Sequence, residues 1–503
     1  MSSLSLLGQG MMTALNPGVM VLMFLGVGVG IIFGSIPGLS ATMAVALFLP
    51  MTFGLDSYSG MCLLVALYIG AVSGGLIAAI LLNIPGTPSS IATCFDGSPM
   101  AKRGEAGKAL GVGIVFSFFG GLVSFIALSF LAPPIARIAL NFQAAENFSV
   151  CVFALTMIAT ISGESILRGV LSGTLGLLLA MVGLAPIDNV ARYTFGSYSM
   201  SNGFDTLPTL IGIFAVAEVL NLAEQVKKMS GIKPLELKPI KGFGFSMEEF
   251  KSQIPNGIRS SILGLGIGIL PGIGGSVSGI MSYITAKNSS KEPEKFGTGC
   301  IDGIVASETA NNATIGGALI PLLALGIPGD GVTAMLLGAF MIHGLQPGPL
   351  LFTTSARLVY TIFAACIIAN FIMLALEFLG IRGFVKLLTV PKHILMPIIM
   401  VLCAVGAFAA NKNIFDVKSL ILFGLLGYLM SKFKIPAAPF ILAFILGGSV
   451  ENYFRKALMN SRGDFGTFFK SPISCVFLLI AAGVLVFSFV KEIKKVVGRK
   501  PMG

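Results

Sequence analysis

Apolar stretches long enough to cross a bilayer follow one another along most of the chain, separated by short polar connections. In the first half they fall near 61–83, 110–131, 148–161, 169–186 and 206–222. In the second they fall near 302–327, 357–380, 393–411, 417–431 and 437–450, and one more follows at 472–490. Ahead of each set lies an apolar segment interrupted by Pro-Gly, at roughly 18–50 and 258–286. Each is expected to form a re-entrant hairpin, entering and leaving the membrane on one side. The pattern predicts an all-α polytopic membrane protein. It has two inverted-topology repeats, each a hairpin plus about five spans, and one extra C-terminal helix.

The interruptions are duplicated in order. The first half reads Gly26-Val27-Gly28-Val29-Gly30, Ile36-Pro37-Gly38 and Asn83-Ile84-Pro85-Gly86-Thr87. The second half reads Gly264-Leu265-Gly266-Ile267-Gly268, Leu270-Pro271-Gly272 and Gly326-Ile327-Pro328-Gly329-Asp330. Proline has no amide hydrogen and glycine weakens a helix, so each break frees backbone polar groups. Hydrocarbon tolerates that only where the backbone lines a polar cavity or is buried in protein. Broken helices at matching places in two halves mark the binding site of a secondary transporter. Kinks between packed helices are the plainer reading, which suits one break better than four in duplicated order.

Composition agrees with a membrane protein: 55% hydrophobic residues, only 11% charged, and a mean hydropathy of +0.92. The net charge of +11 reflects cytoplasmic loops rather than nucleic-acid binding. An odd number of crossings per half inverts the second copy. With the N-terminus periplasmic and the C-terminus cytoplasmic, most of the 33 Lys and Arg lie on the cytoplasmic side. Residues 1–222 then form the first inverted repeat, 223–257 a basic cytoplasmic linker, and 258–460 the second repeat. Residues 461–503 form the C-terminal transmembrane helix and a basic cytoplasmic tail. The seven Cys include no Cys-x-x-Cys pair and the two His are far apart, so neither a disulfide framework nor a metal site is expected beyond a bound Na⁺. No catalytic constellation and no phosphate-binding loop stand out. The chain is not expected to be an enzyme, to hold a cofactor or to couple ATP.

Small and hydroxyl residues follow every break: Gly38 and Ser40; Gly86, Thr87, Ser89 and Ser90; Gly272, Gly274, Gly275 and Ser276; Gly329 and Thr333. A helix that restarts after Pro-Gly presents free N–H groups and a positive dipole end. Four such ends converging would bind an anion, best a multivalent carboxylate, so these are the substrate candidates. Aligning Pro85 with Pro328 sets Tyr68 against Asn311 and Val65 against Glu308. The second half thus carries Glu308, Asn311, Asn312 and Thr314 where the first is nearly apolar. With Asp330 they are the candidates for a coupling cation, Na⁺ or H⁺. The competing readings are a self-satisfied polar clamp, a solvated Glu308, and a helix cap for Asp330. Asp96 is expected to cap a helix end or pair with Lys102 or Arg103. A passive organic-anion channel using the same helix ends is the alternative function.

Two blocks carry a family resemblance. One holds Tyr68-Ile69-Gly70-Ala71, Leu82-Asn83-Ile84-Pro85-Gly86-Thr87-Pro88-Ser89-Ser90, Asp96-Gly97 and Lys108-Ala109-Leu110-Gly111. The other holds Glu308-Thr309-Ala310-Asn311-Asn312-Ala313, Ile320-Pro321-Leu322, Leu325-Gly326-Ile327-Pro328-Gly329 and Gly344-Leu345-Gln346-Pro347-Gly348-Pro349. From about Gly34 to Phe469 the chain resembles the large membrane subunit of tripartite tricarboxylate transporters. The resemblance implies a bacterial inner-membrane importer of citrate-like di- or tricarboxylates, driven by a Na⁺ or H⁺ gradient. It also implies a small membrane partner subunit and a periplasmic solute-binding protein that delivers substrate. The oligomeric state stays open, a homo-oligomer included. The family is similar in design to elevator-type transporters, which would make 18–100 and 258–345 the moving parts and the rest a scaffold. At Ser73-Gly74-Gly75-Leu76 the chain departs from the family, which more often has Tyr before the glycines and Ser after them.

Overall fold

The computed structural model describes residues 3–161, 165–229, 243–387 and 392–497. Contacts divide the chain into two compact units, each drawing on both halves of the sequence. Residues 1–136 and 218–406 form unit one; residues 137–217 and 407–503 form unit two. The chain begins in unit one with α1 (Ser3–Ala14), α2 (Pro17–Ser35), α3 (Ala41–Phe48), α4 (Ser57–Leu82) and α5 (Ile91–Met100). α6 (Ala106–Ala139) leads into unit two, which holds α7 (Ala144–Ile161), α8 (Ile166–Ala180), α9 (Tyr198–Ser201) and α10 (Thr206–Ile211). Unit one resumes with α11 (Ala217–Met229), α12 (Met247–Ile269), α13 (Gly274–Ser289), α14 (Ile301–Leu325) and α15 (Gly331–Ile342). It continues through α16 (Leu351–Thr354), α17 (Ala356–Leu387) and most of α18 (Lys392–Asn411). Unit two closes with α19 (Ile414–Lys432), α20 (Ala437–Asn460), α21 (Thr467–Lys470) and α22 (Pro472–Val497). Among the described residues, nine helical runs are long and apolar enough to cross a bilayer. The chain is an all-α multi-pass membrane protein, apart from one short antiparallel pairing of Gly183–Leu184 with Ala191–Arg192.

That strand pair corrects the span expected at 169–186. α8 stops at Ala180 because Gly183 takes a φ of +112°, closed to a side chain, and Pro186 follows. The span expected at 437–450 instead runs to Asn460. The added turns are polar and tied to the strand loop: Arg192 donates to both oxygens of Glu451 at 3.0 and 2.9 Å, and Arg455 donates to Asp188 at 2.6 Å. The Arg455 guanidinium holds the Asp188 carboxyl below its ordinary range. Helix also reaches into both ends of the expected linker, through Met229 and from Met247. Ser246 and Glu249 cap the second of these reciprocally, at 3.1 and 2.8 Å. The middle of the linker, 230–242, and the end of the basic tail lie outside the described residues. α1 has no counterpart in the sequence reading.

Unit one contains every Pro-Gly break. Its core is α4, which is buried along nearly its whole length, and α14, likewise buried. Asp56 starts α4 by accepting from the N–H groups of Tyr58 and Ser59 at 3.0 and 3.1 Å. α2 packs along α4, and α12 along α14, with glycine at the points of closest approach. A Cβ on Gly30 would sit 2.3 Å from the Leu67 carbonyl oxygen, and one on Gly34 2.1 Å from that of Ala71. In the second half a Cβ on Gly264 would sit 2.3 Å from the Ala310 oxygen, and one on Gly268 2.6 Å from that of Thr314. Small residues let backbones touch where lipid supplies no hydrophobic drive between helices.

The breaks themselves share conformation. Gly38 and Gly272 both turn left-handed after their prolines, with φ of +91° and +82°. α4 ends at Asn83 in the left-handed region and α14 ends the same way at Gly326, with φ of 55° and 72°. Beyond the second break, the Thr87 N–H reaches Ser90 Oγ at 3.4 Å, and that hydroxyl donates to the Thr87 carbonyl at 2.9 Å. Asp330 and Thr333 repeat the exchange at 2.8 and 3.0 Å.

Candidate functional site

The breaks frame a cavity of about 180 Å³ inside unit one, lined by both polar and apolar groups. Its walls are Ser40 and Thr42 at the start of α3, Thr87 and Ser89 after α4, and Gly274, Gly275 and Ser276 at the start of α13. Tyr68 and Val72 of α4, Asn311 and Thr314 of α14, and Asp330 and Gly331 at the start of α15 add to them, with Ala41, Pro88, Ile315 and Val332 as apolar wall. The volume lies below the roughly 300–1,000 Å³ of sites for drug-sized ligands, which suits a small solute. No Lys, Arg or His is among the described residues that line it.

Not every expected substrate residue faces this space. Ser40, Thr87, Ser89, Gly274, Gly275 and Ser276 do; Gly38, Gly86, Ser90, Gly272, Gly329 and Thr333 do not. The second group builds the turns. A Cβ on Gly86 would lie 2.2 Å from the Gly34 oxygen, and one on Gly329 2.6 Å from the Ala318 Cα. Ser90 and Thr333 spend their hydroxyls on the turns described above. Free helix-start amides are also fewer than expected. Ser40 Oγ accepts from the Met43 N–H at 3.1 Å, and Asp330 Oδ1 accepts from the Thr333 N–H at 2.7 Å. The start of α13, which lines the cavity, has no side-chain cap, and neither has the start of α5 after the second break.

The cation candidates separate into two groups. Asn311 is 1% exposed, lines the cavity, and has no hydrogen-bond partner for either amide atom. A Cβ on Gly275 would lie 2.6 Å from its Oδ1 and 3.0 Å from the Ser89 Cβ, so three elements meet at this amide. Thr314 donates within its own packing, to Ser278 Oγ at 2.7 Å or the Ala310 carbonyl at 2.8 Å. Asp330 is a cap: Oδ1 accepts from Thr333 and Oδ2 from the Tyr68 hydroxyl at 2.5 Å. Glu308 and Asn312 do not line the cavity. Glu308 is fully buried, contrary to the solvated reading. It accepts from the Thr93 hydroxyl, from Ser117 at 3.1 Å and from Asn312 Nδ2 at 3.5 Å. The polar clamp therefore describes Glu308 and Asn312, while Asn311 stands beside the same carboxyl and lines the cavity as well.

Asp96 corrects another expectation. It pairs with neither Lys102 nor Arg103. Its Oδ1 accepts from the N–H groups of Gly297, Gly299 and Cys300 at 2.9, 2.7 and 3.0 Å, and its Oδ2 from the Tyr283 hydroxyl at 2.9 Å. Arg103 donates instead to the Thr298 and Gly299 carbonyls and to Glu105. Asp96 thus fastens the connection between α13 and α14 to α5.

Sequence reasoning passed over Tyr68 as a site residue, although it stands opposite Asn311 in the alignment of the halves. It also passed over Glu377. A lone carboxyl within an otherwise apolar stretch was a signal available in the sequence.

The model of the tripartite tricarboxylate transporter TctA family matches residues 20–442. An uncharacterized 52.8 kDa protein in the TAR-I ttuC' 3'region of Agrobacterium vitis is 37% identical over 495 residues, covering 98% of each chain. A second Agrobacterium vitis protein, from the TAR-II ttuC' 3'region, is 37% identical over 228 residues. That match covers 45% of this chain and 94% of the relative. No solved structure matches the chain. With the family model spanning most of its length, and a full-length relative beside it, the chain belongs to the tripartite tricarboxylate transporter TctA family.

Proposed function

We propose that this protein is a secondary active importer of citrate-like di- or tricarboxylates, coupled to a Na⁺ or H⁺ gradient. It works with a small membrane subunit and receives substrate from a periplasmic binding protein. Residues 1–222 and 258–460 act as two inverted repeats, with 18–100 and 258–345 as the moving parts of an elevator. The family supports the substrate class; the recurrence of the same turns and glycine contacts in both halves supports the repeats.

One observation carries the coupling. The cavity offers hydroxyls, the uncapped start of α13 and the unpartnered Asn311 amide, but no basic side chain, and it already holds the Asp330 carboxylate. A multivalent anion entering such a space needs positive charge brought with it. Ser40, Thr87, Ser89 and the Gly274–Ser276 amides hold the carboxylates, while the Asn311 oxygen helps hold the cation.

The test is uptake of labelled citrate and other carboxylates into proteoliposomes containing the purified partners, with and without a Na⁺ or H⁺ gradient. Accumulation against the substrate gradient is expected. Flux that only runs downhill, indifferent to either ion, would make the protein a channel and reject the importer.

A further inference from the structure

Among its described residues, unit one holds three fully buried carboxyl groups, and their surroundings differ. Asp96 accepts four hydrogen bonds and Glu308 three, as set out above. Glu377, on α17, is 0% exposed and accepts one, from Ser73 Oγ of α4 at 3.0 Å. Its Oε1 has no partner, and it forms no ion pair among the described residues. Carboxylates removed from water need several donors or a counter-charge, and a buried acid with neither keeps its proton.

Among the described residues, no basic side chain forms an ion pair with Glu377, and the segment at Phe243–Phe250 that packs on α17 brings only Glu248 and Glu249, the latter held by Lys108. α1 and α2, packed against α17, carry no titratable side chain, and α4 carries only Tyr58, Cys62 and Tyr68. Along α17 itself, Arg357 lies over the Tyr58 ring and Arg382 is exposed. Arg382 stands five residues on, about 140° around the helix; Lys386 is about two and a half turns away. Tyr360 and Cys366 are the other titratable groups of that helix. Asn370 of α17 donates to the Phe118 carbonyl of α6 at 2.9 Å, and Lys108 of α6 is engaged by Glu249. On α14 the nearest acid is Glu308, held by its own donors.

Ser73 also has a position that matters. Val72 beside it lines the cavity, and a Cβ on Gly75 would lie 2.5 Å from Thr87 Oγ1. About one turn of α4 therefore joins Glu377 to the lip of the cavity. We propose that Glu377 is a proton-binding site. It carries a proton in this conformation and releases it to water when α4 and α17 separate enough to admit solvent. This deepens the proposed importer by naming a proton site apart from the substrate cavity, and its first test does not depend on transport.

The first arm is an infrared difference spectrum between the purified wild type and Glu377→Gln at neutral pH. The expected result is loss of the carbonyl band of a protonated carboxylic acid; loss of an ionised-carboxylate band instead would overturn the proposal. The second arm is citrate uptake. Glu377→Gln is expected to keep citrate exchange within about twofold but to lose at least fivefold of the stimulation by an inward proton gradient. A variant with wild-type response to that gradient would overturn the coupling role. Should Glu377→Gln fail to fold, Ser73→Ala keeps the carboxyl and is expected to move the pH midpoint of uptake; an unmoved midpoint counts against the proposal. If the wild type carries no carboxylate, the importer reading fails while the infrared result still decides the protonation of Glu377.

Discussion

The Tyr68 hydroxyl donates to the Asp330 carboxylate at 2.5 Å, joining residues 262 positions apart across the wall of the cavity. Tyr68 belongs to the buried core of α4, and Asp330 starts α15. The bond fixes where the charged cap points. Tyr68→Phe removes one hydrogen bond to a charged group, about 1.5 kcal/mol at the low end, and is expected to weaken citrate binding by roughly tenfold. Equilibrium binding to the purified protein measures it; an unchanged affinity would detach this pair from the site.

Asn311→Ala and Asn312→Ala are expected to behave differently although the residues are adjacent. Asn311 lines the cavity, whereas Asn312 does not and donates its Nδ2 to Glu308. Asn311→Ala should raise the Na⁺ concentration for half-maximal uptake by about tenfold, equivalent to ~1.4 kcal/mol. Asn312→Ala should instead lower thermal stability, by about 1–3 kcal/mol, because the Glu308 cluster loses a donor. Equal effects of both on ion dependence would contradict this division.

Glycine positions give a sharper packing test. Gly34→Ala and Gly268→Ala place a methyl group within 2.1 and 2.6 Å of a backbone carbonyl and should cost about 1–3 kcal/mol each. Gly266→Ala meets nothing within 4 Å and should be neutral or slightly stabilising. Thermal unfolding in detergent distinguishes the three.

Asp96→Asn keeps the shape of the side chain but loses the charge that three amides and a phenol share. We expect faster hydrogen exchange at Gly297, Gly299 and Cys300, by roughly tenfold for each ~1.4 kcal/mol lost. Exchange as slow as in the wild type would mean that the loop is held by other contacts.

The sequence announced its breaks because proline and glycine act through the local backbone, and a local signal can be read without knowing the fold. The αL ends at Asn83 and Gly326 and the turns at Gly38 and Gly272 follow directly from residue type. Partner choice is another matter. Asp96 has basic residues within a few positions, yet it binds amides some two hundred residues away. Glu377 meets Ser73 and Tyr68 meets Asp330 across similar distances in the chain. Helical spacing placed Glu308, Asn311 and Asn312 on one face, but a face is broad: Asn311 turns to the cavity, Glu308 to α5 and α6, and Asn312 back onto Glu308. Which side of a buried helix meets water, a ligand or another helix is decided by packing that no single segment encodes.

Thr87 and Asp330 hold the same station in the two halves, one uncharged and the other acidic. A guest seated between them meets an electrical gradient even if the guest itself is symmetric. Such a site prescribes one binding pose, and a blocker with a cationic arm at one end and an acceptor at the other would be matched to that polarity.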